Sequence, residues 1–258
     1  MPDVNTQAIL LRRINYGDND LIVTLFTSDA GKLTVFAKSA KKSKKRFPGI
    51  LELFNQLAVV YSQSQRQNLP ILKEAVLHDA YINIRADIHK TGYASYWVEL
   101  IDFWLQEDNA QEALYHLLQE VLSALDKDEI LDQVLNIYFQ MKFLNLAGLQ
   151  PNLLTCCQCQ KQTDCMLPDK LSVSLKDGGI VCCDCNPTDS SNKKFTLSKG
   201  TLKQLIWMAE RELSTAKRVR FSALGLKEAI NFLESFVPYH VGKFPKSLTF
   251  LKSLRKKE

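Results

Sequence analysis

The chain of 258 residues predicts an α+β multidomain protein, with a five-stranded β-barrel followed by an α-helical domain that carries an inserted four-cysteine module. Three observations predict this fold class. Short apolar segments separated by Gly and Asp turns fill residues 6–79. Apolar residues then recur at helical spacing, and all seven cysteines lie between Cys156 and Cys185. These patterns divide the chain into four predicted segments, residues 1–80, 81–150, 151–192 and 193–258.

The N-terminal segment contains five predicted strands, at residues 7–14, 21–27, 32–38, 51–61 and 69–77. Polar turns that contain glycine separate the first three. Five short strands over this length favour a small closed barrel of the OB-fold type, because closure leaves no strand edge unpaired.

Helical periodicity begins after residue 80. Three apolar stripes predict three helices, at residues 93–105, 114–125 and 130–146. Gly148 predicts the end of the third, because glycine readily takes the positive φ that follows a last helical turn. Beyond the cysteines, Ser198 and Ser222 are candidate N-caps of two further helices. The cysteine module therefore interrupts a helical domain.

Charge is distributed unevenly, although the net charge is only +5. Residues 1–80 carry 11 Lys and Arg against 7 Asp and Glu, residues 81–150 carry 4 against 11, and residues 151–258 carry 18 against 10. Basic regions on both sides of an acidic one indicate that polyanion and protein contacts fall on different surfaces. The sequence shows neither a secretory signal nor an 18-residue apolar stretch, so we expect a cytoplasmic protein without a membrane span.

Two CxxC pairs predict a structural Zn²⁺ site held by Cys156, Cys159, Cys182 and Cys185. Each CxxC turn directs two thiolates to one point, and two turns complete a tetrahedron. Four sulfur ligands leave no open position for water or substrate. Additional cysteines leave an alternative register of the CxC type, with Cys157 or Cys183 as ligands, while Cys165 lies just beyond the first pair. Free buried or redox thiols are the alternative to a metal site.

A basic stretch between the third and fourth predicted strands holds six cations in nine residues, at Lys38, Lys41, Lys42, Lys44, Lys45 and Arg46. Such a cluster repels itself unless it is solvated or faces a polyanion. OB-folds bind single strands with a positive groove and stacking aromatics. We therefore expect nucleic acid at this stretch, with Tyr16, Phe36 and Phe47 as candidate stacking residues. A mobile solvated loop and core aromatics are the alternatives.

The order of these motifs resembles the bacterial RecO family of recombination mediators. The resemblance is carried in the barrel by residues 8–20, 23–27, 31–33 and 37–46, and in the cysteine module by residues 151–156, Cys159, residues 178–179, Cys182 and Cys185. A C-terminal signature follows at residues 239–242 and 246–247. Gln160 stands where the family usually has glycine, and Cys157 and Cys183 are outside its pattern.

The resemblance implies a protein without catalytic residues that acts in DNA repair and recombination of the RecF-pathway type. It implies binding of single- and double-stranded DNA, annealing of complementary strands, and loading of recombinase onto strands coated by single-strand-binding protein. The implied partners are RecR, in some family members RecF, and the acidic, Phe-ended tail of single-strand-binding protein, in a nucleoid-associated cytoplasmic setting. One structural Zn²⁺ per chain is the implied cofactor.

Two sets of cations complete the predicted sites. We expect the DNA contacts to extend from the basic stretch to the strand residues Arg12, Arg13 and Lys32. An acidic tail needs cations beside an apolar groove, and the candidates on the later helices are Arg211, Lys217, Arg218, Lys227 and Lys243.

Two other functions remain open at this point. One is a zinc-ribbon factor of transcription or translation. The other is a zinc-dependent nucleic-acid enzyme, which needs an open coordination position and a base such as the Glu of an HxE motif. The sequence has no HxE, HExxH, P-loop or GxSxG motif, and its four histidines are scattered. The sequence therefore favours a binding protein over an enzyme.

Overall fold

The computed structural model of the protein describes residues 3–62, 69–167, 169–185 and 194–256. The strands in these residues are β1 (Asp3–Tyr16), β2 (Asp20–Thr27), β3 (Gly31–Ala37), β4 (Gln56–Ser62), β5 (Ile71–Asp79), β6 (Lys170–Ser174), β7 (Gly179–Val181) and β8 (Lys194–Ser198). The helices are α1 (Ile82–Ala86), α2 (Ile88–Trp104), α3 (Glu112–Asp126), α4 (Asp132–Leu146), α5 (Lys199–Glu210), α6 (Leu213–Ala216), α7 (Ala223–Val241) and α8 (Lys246–Arg255). Within these residues, no helix is both long enough and apolar enough to cross a membrane.

The chain forms two compact units. Unit 1 comprises Met1–Lys127 and Thr249–Glu258, and unit 2 comprises Asp128–Leu248. Unit 1 contains the strands β1 to β5 and the helices α1 to α3, whereas unit 2 contains α4 to α7 and the remaining strands. The predicted division of the chain into four segments stays a prediction.

The strands β1 to β5 close into a barrel in the order β1-β2-β3-β5-β4. Neighbouring strands are antiparallel except β3 and β5, which pair in parallel at Phe36 and Ile71. Alternate side chains fill the interior, as Leu21, Val23 and Leu25 of β2 do. This closed five-stranded sheet, followed by helices and a cysteine cluster, confirms the predicted fold class.

The fourth strand begins later than the apolar run predicts. The prediction starts it at Leu51, whereas β4 starts at Gln56. Phe54 has a φ of 73°, outside the extended region, and its backbone N–H donates to the carbonyl of Leu10 at 3.0 Å. Leu51 is apolar because it fills the barrel core, and it does so without belonging to a strand.

Unit 2 joins a three-stranded sheet to a group of packed helices. The sheet has the order β7-β6-β8, and β8 runs directly into α5 at Ser198. The side chains of Ser198 and Ser222 cap α5 and α7 by accepting backbone hydrogen bonds, as predicted. Gly148 ends α4 with a φ of 69°, also as predicted. The cysteine segment therefore lies between α4 and α5, which pack on each other.

Candidate metal centre and nucleic-acid interface

Four cysteine side chains of unit 2 converge. One sulfur from each of Cys156, Cys159, Cys182 and Cys185 lies within 4.8 Å of the other three. The sulfurs of Cys159 and Cys182 are 3.6 Å apart. With Zn–S bonds of about 2.3 Å, sulfurs around a tetrahedral zinc lie roughly 3.8 Å apart. The four residues thus fit a metal ion, and they are the four of the CxxC register.

Backbone hydrogen bonds bring the two cysteine pairs together. The N–H of Asn152 donates to the carbonyl of Gly178 at 2.9 Å, and the N–H of Ile180 donates back to Asn152 at 2.9 Å. The N–H of Cys157 donates to Ile180 at 2.8 Å. A Cβ on Gly179 would overlap the backbone carbonyl of Asn152. Only glycine therefore allows the two segments to approach this closely at this position.

The thiols of the cluster differ in acidity. Burial raises the pKa of Cys156, but backbone N–H groups, first those of Cys159 and Cys182, outweigh burial and lower this pKa to about 6. Hydrogen bonds with Cys182 and Cys159 raise the pKa of Cys185 to about 12. Four thiolates repel one another unless a cation lies between them, and a coordinating cation deprotonates its thiols. The cluster is therefore a donor set for a thiophilic divalent cation.

The other three cysteines lie outside this cluster in the described residues. Burial, with Asp177 as a further cause, raises the pKa of Cys157. The exposed thiol of Cys183 donates to the carbonyl of Leu167 at 3.5 Å, and Cys165 is also exposed. The CxC register is therefore not the one that the structure brings together.

The basic stretch is a strongly cationic exposed segment of the barrel. We call residues 38–46 the basic loop. A short 3₁₀ turn, Ala40–Lys42, lies within it, and the side chain of Ala40 is buried against the barrel core. All six of its cationic residues are exposed, namely Lys38, Lys41, Lys42, Lys44, Lys45 and Arg46. The loop thus turns its apolar residue inward and its charges outward.

The turn between β1 and β2 holds the basic loop in place. The backbone N–H of Lys41 donates to the carbonyl of Asn19 at 3.0 Å, and its Nζ donates to the carbonyl of Gly17 at 3.2 Å. The N–H of Ser39 donates to Oδ1 of Asp20 at 2.6 Å. These contacts fix the start of the loop, so the six charges project from a defined backbone.

The aromatic candidates separate into two environments. Phe47 is only 2 % exposed and belongs to the barrel core, with the Arg46 guanidinium 5.0 Å from its ring centroid. Tyr16 is 56 % exposed, and its ring meets the half-buried ring of Phe36 edge to face at 5.7 Å. Tyr16 and Phe36 therefore stay available for stacking, whereas Phe47 does not.

The three cations predicted on the strands, Arg12, Arg13 and Lys32, differ in whether protein acceptors already bind them. Arg12 is exposed on β1. Arg13 pairs with Glu52, and the Nζ of Lys32 lies 2.6 Å from the Asp102 carboxylate and 2.9 Å from the Asp102 carbonyl. Lys32 is thus occupied by protein acceptors on α2, which leaves Arg12 as the strand cation best placed for a ligand.

A groove of about 400 Å³ opens between α4 and the segment before α7 in unit 2. Six apolar residues line it, Ile130, Leu131, Val134, Val219, Phe221 and Leu226. Its charged lining residues are the cations Lys217 and Arg220 and the acids Asp128 and Glu129. Of the five predicted partner cations, Lys217 lines the groove, whereas Arg211, Arg218, Lys227 and Lys243 are outside its lining.

Sequence reasoning missed two polar residues of these sites. Asp20 belongs to a turn, and its bond to Ser39 joins residues 19 positions apart. Arg220 lies two residues from predicted Arg218, but its side chain bonds the carbonyl of Lys217 beside the groove. The spacing of Asp20 after Gly17 was visible in the sequence, whereas the partner of its carboxylate was not.

A closed OB-like barrel with an exposed cationic loop, in a chain that also carries helices and a four-cysteine cluster, is typical of modular nucleic-acid-binding proteins. Family models named "Recombination protein O N terminal" and "Recombination protein O C terminal" match residues 1–81 and 85–249. The chain therefore belongs to the RecO family and has a role in DNA repair and recombination.

Curated relatives match the chain over its whole length. A protein named "DNA repair protein RecO" of Desulfatibacillum aliphaticivorans is 43 % identical over 258 residues, covering 100 % of this chain and 99 % of the relative. Proteins of the same name from Desulfosudis oleivorans and Syntrophus aciditrophicus are 40 % and 31 % identical, covering 99 % and 97 % of this chain and 99 % and 96 % of the relatives.

Proposed function

We propose that the protein is a non-catalytic DNA-binding mediator, which binds single- and double-stranded DNA through the basic loop and anneals complementary strands. The observation that supports this proposal is the set of six exposed cations fixed on an OB-like barrel. Each cation that meets a phosphate releases condensed counterions, which favours binding of any sequence. Arg12 extends the positive surface along β1.

Annealing follows from the same charges. Two phosphate backbones repel each other, and a cationic surface that contacts both lowers that repulsion. This requires neither an acid–base pair nor a nucleotide. In the same proposal, the protein acts in the cytoplasm near the nucleoid with RecR and, as the resemblance implies for some family members, RecF. It helps to load recombinase onto strands coated by single-strand-binding protein.

The tail of single-strand-binding protein, as expected from the family resemblance, fits the groove of unit 2. Its Phe needs an apolar pocket, which residues such as Leu131 and Phe221 supply. Its acidic residues and terminal carboxylate need cations, which Lys217 and Arg220 supply. Asp128 and Glu129 repel an acidic peptide, so in this proposal the carboxylates of the tail contact Lys217 and Arg220.

The metal in this proposal is one structural Zn²⁺ per chain, held by the four clustered cysteines. Zinc supplies a tetrahedral crosslink, and its four thiolates leave no position for a substrate. This coordination favours the mediator over a zinc-dependent enzyme. It does not separate the mediator from a zinc-ribbon factor of transcription or translation, and here the match to the RecO family supports the mediator.

The test replaces Lys41, Lys42, Lys44 and Lys45 of the basic loop with Ala and titrates DNA binding against salt. Binding should weaken for all sequences alike, because phosphate contacts carry no base information. The slope of log K against log salt should shrink by roughly one unit per lost contact. Annealing without ATP should fall in parallel.

A matched control removes the same charge elsewhere, by replacing the exposed lysines Lys73, Lys127, Lys176 and Lys203 with Ala. A loss that depends only on net charge would appear equally in both variants. Equal affinities and equal salt slopes in the two variants would show that the basic loop is not the DNA site. The basic C-terminal third of the chain would then be the next candidate.

A further inference from the structure

An apolar row crosses the outer face of the barrel. Strand register places Ile14 of β1 opposite Ile22 of β2, Ile22 opposite Phe36 of β3, and Phe36 opposite Ile71 of β5. Ile14 is 42 % exposed and Ile71 46 % exposed, while Ile22 and Phe36 are partly exposed. Tyr16 adds an exposed ring against Phe36. We call these five side chains the apolar row.

The remainder of the same face is covered. Thr24 and Phe26 lie on the same face of β2 as Ile22. Thr24 is buried, and Phe26 is fully buried against Tyr115 of α3. Lys32, opposite Phe26 on β3, is paired with Asp102 of α2. The helices of unit 1 thus close one end of the face and leave the apolar row open at the other.

Cations lie on both sides of the apolar row. Arg12 is exposed and lies on the same outer face of β1 as Ile14, two residues before it. On the other side, the basic loop contacts the turn that follows Tyr16, through the bond from Lys41 Nζ to the Gly17 carbonyl. An apolar strip between Arg12 and the basic loop suits a polymer such as single-stranded DNA, in which flat apolar bases alternate with anionic phosphates.

We propose that the apolar row stacks unpaired bases of single-stranded DNA, with Tyr16 as the principal stacking residue, while Arg12 and the basic loop contact the phosphates. This inference rests on the proposed function and deepens it, because it assigns strand preference to a distinct part of the barrel. In a duplex the bases are already stacked and paired, so their faces cannot reach the row. Duplex DNA therefore contacts only Arg12 and the cations of the basic loop.

The test compares the full-length protein with the variants Tyr16→Ala and Tyr16→Phe, using a dye-labelled oligothymidylate and a blunt duplex of equal length in anisotropy titrations. Tyr16→Ala should weaken oligothymidylate binding by roughly 5- to 150-fold, the loss expected for one stacked base. Its salt slope should stay unchanged, because no phosphate contact is removed. Duplex binding should change less than twofold, and Tyr16→Phe should retain wild-type affinity.

Tyr239→Ala is the matched control, because Tyr239 is exposed to a similar extent, 53 %, and lies in unit 2. Equal losses for oligothymidylate and duplex in Tyr16→Ala would overturn the inference while leaving the basic loop as the DNA site. Unchanged binding of both DNAs would also overturn it and would point to a protein partner for the row. Failure of the basic-loop variant to affect either DNA would instead count against the proposed function.

Discussion

We expect Asp20 to favour DNA binding, although its negative charge alone would oppose it. Its carboxylate accepts the N–H of Ser39 at the start of the basic loop, so it orders a cationic segment although it is itself an anion. A hydrogen bond to a charged group contributes about 1.5–3 kcal/mol. Asp20→Ala should therefore weaken DNA binding, even though removal of a negative charge favours a polyanion.

Asp18 supplies the control for this prediction, because it lies in the same turn, is exposed, and makes no side-chain hydrogen bond within the described residues. Asp18→Ala should bind DNA as tightly as the wild type, or slightly more tightly. The test measures the DNA affinities of the wild type and the two variants side by side at one salt concentration. If Asp20→Ala binds at least as tightly as Asp18→Ala, the carboxylate does not position the loop.

We expect Glu228 to make the stability of unit 2 depend on pH. Its Oε2 accepts from Ser198 N at 2.9 Å, Ser198 Oγ at 2.8 Å and Thr201 Oγ1 at 2.8 Å. Burial raises its pKa, but these hydrogen bonds, with Lys170 as a further cause, lower the pKa below the ordinary value. Glu228→Gln should lower the free energy of unfolding at pH 7 by about 1–3 kcal/mol.

The sign of the pH dependence follows from the lowered pKa. The stabilisation is fully present above the unfolded-state pKa of about 4.3 and is lost as pH falls through the lower folded-state value. The difference in unfolding free energy between wild type and Glu228→Gln should therefore shrink below about pH 4. Denaturant titrations across this range measure it, and a difference that stays constant would show that the charge is not involved.

At the scale of elements, the short β7 strand positions the cysteine pairs through Gly179. Its backbone passes so close to Asn152 that any Cβ overlaps the Asn152 carbonyl. Gly179→Ala should force the two cysteine segments apart, costing about 1–3 kcal/mol as overpacking does, and should weaken zinc retention. Zinc release to a chromophoric chelator measures this effect.

Gly200→Ala is the corresponding control, since a Cβ there meets nothing within 4 Å and the residue lies in the first turn of α5. Alanine has the higher helix propensity, so this variant should be at least as stable as the wild type. Identical zinc release from both alanine variants would contradict a role for the Gly179 contact.

The elements that sequence predicts well are those whose signal is local. Ser198 and Ser222 cap their helices as expected, because a cap needs only the next three residues. Apolar character alone does not distinguish a strand from a core-filling loop, which is why Leu51 falls outside β4. Phe47 and Phe36 look alike in sequence, but only the position of the barrel core decides that Phe47 is buried.

In the candidate sites, too, features with a local sequence signal were predictable and features that depend on tertiary contacts were not. The CxxC spacing is local, so the four converging cysteines were predictable. Lys32 has the residue type and strand position of a DNA contact, yet its charge is met by Asp102, 70 residues away. The apolar row depends on the register of four strands, which no single stretch of the sequence contains.

At the scale of the whole molecule, the two compact units carry different features: the basic loop belongs to unit 1, and the cysteine cluster belongs to unit 2. The cores of the barrel and of the cysteine module are built from separate stretches of the chain. A metal that binds only the folded cluster stabilises the unit that contains it. Loss of the metal should therefore affect unit 2 far more than the barrel.

Cys159→Ser tests this expectation, because Cys159 is exposed and its replacement removes one sulfur ligand with little packing. The variant should contain less than one zinc per chain by elemental analysis. Amide hydrogen exchange should accelerate around β6, β7 and α5, while the strands of the barrel keep wild-type protection. Binding of duplex DNA through the basic loop should persist.

Cys183→Ser, which removes an exposed sulfur outside the cluster, should change neither zinc content nor exchange. Equal zinc content in all three proteins, or faster exchange in the barrel to the same degree as in β6, would show that the cluster is not a metal-dependent support of unit 2.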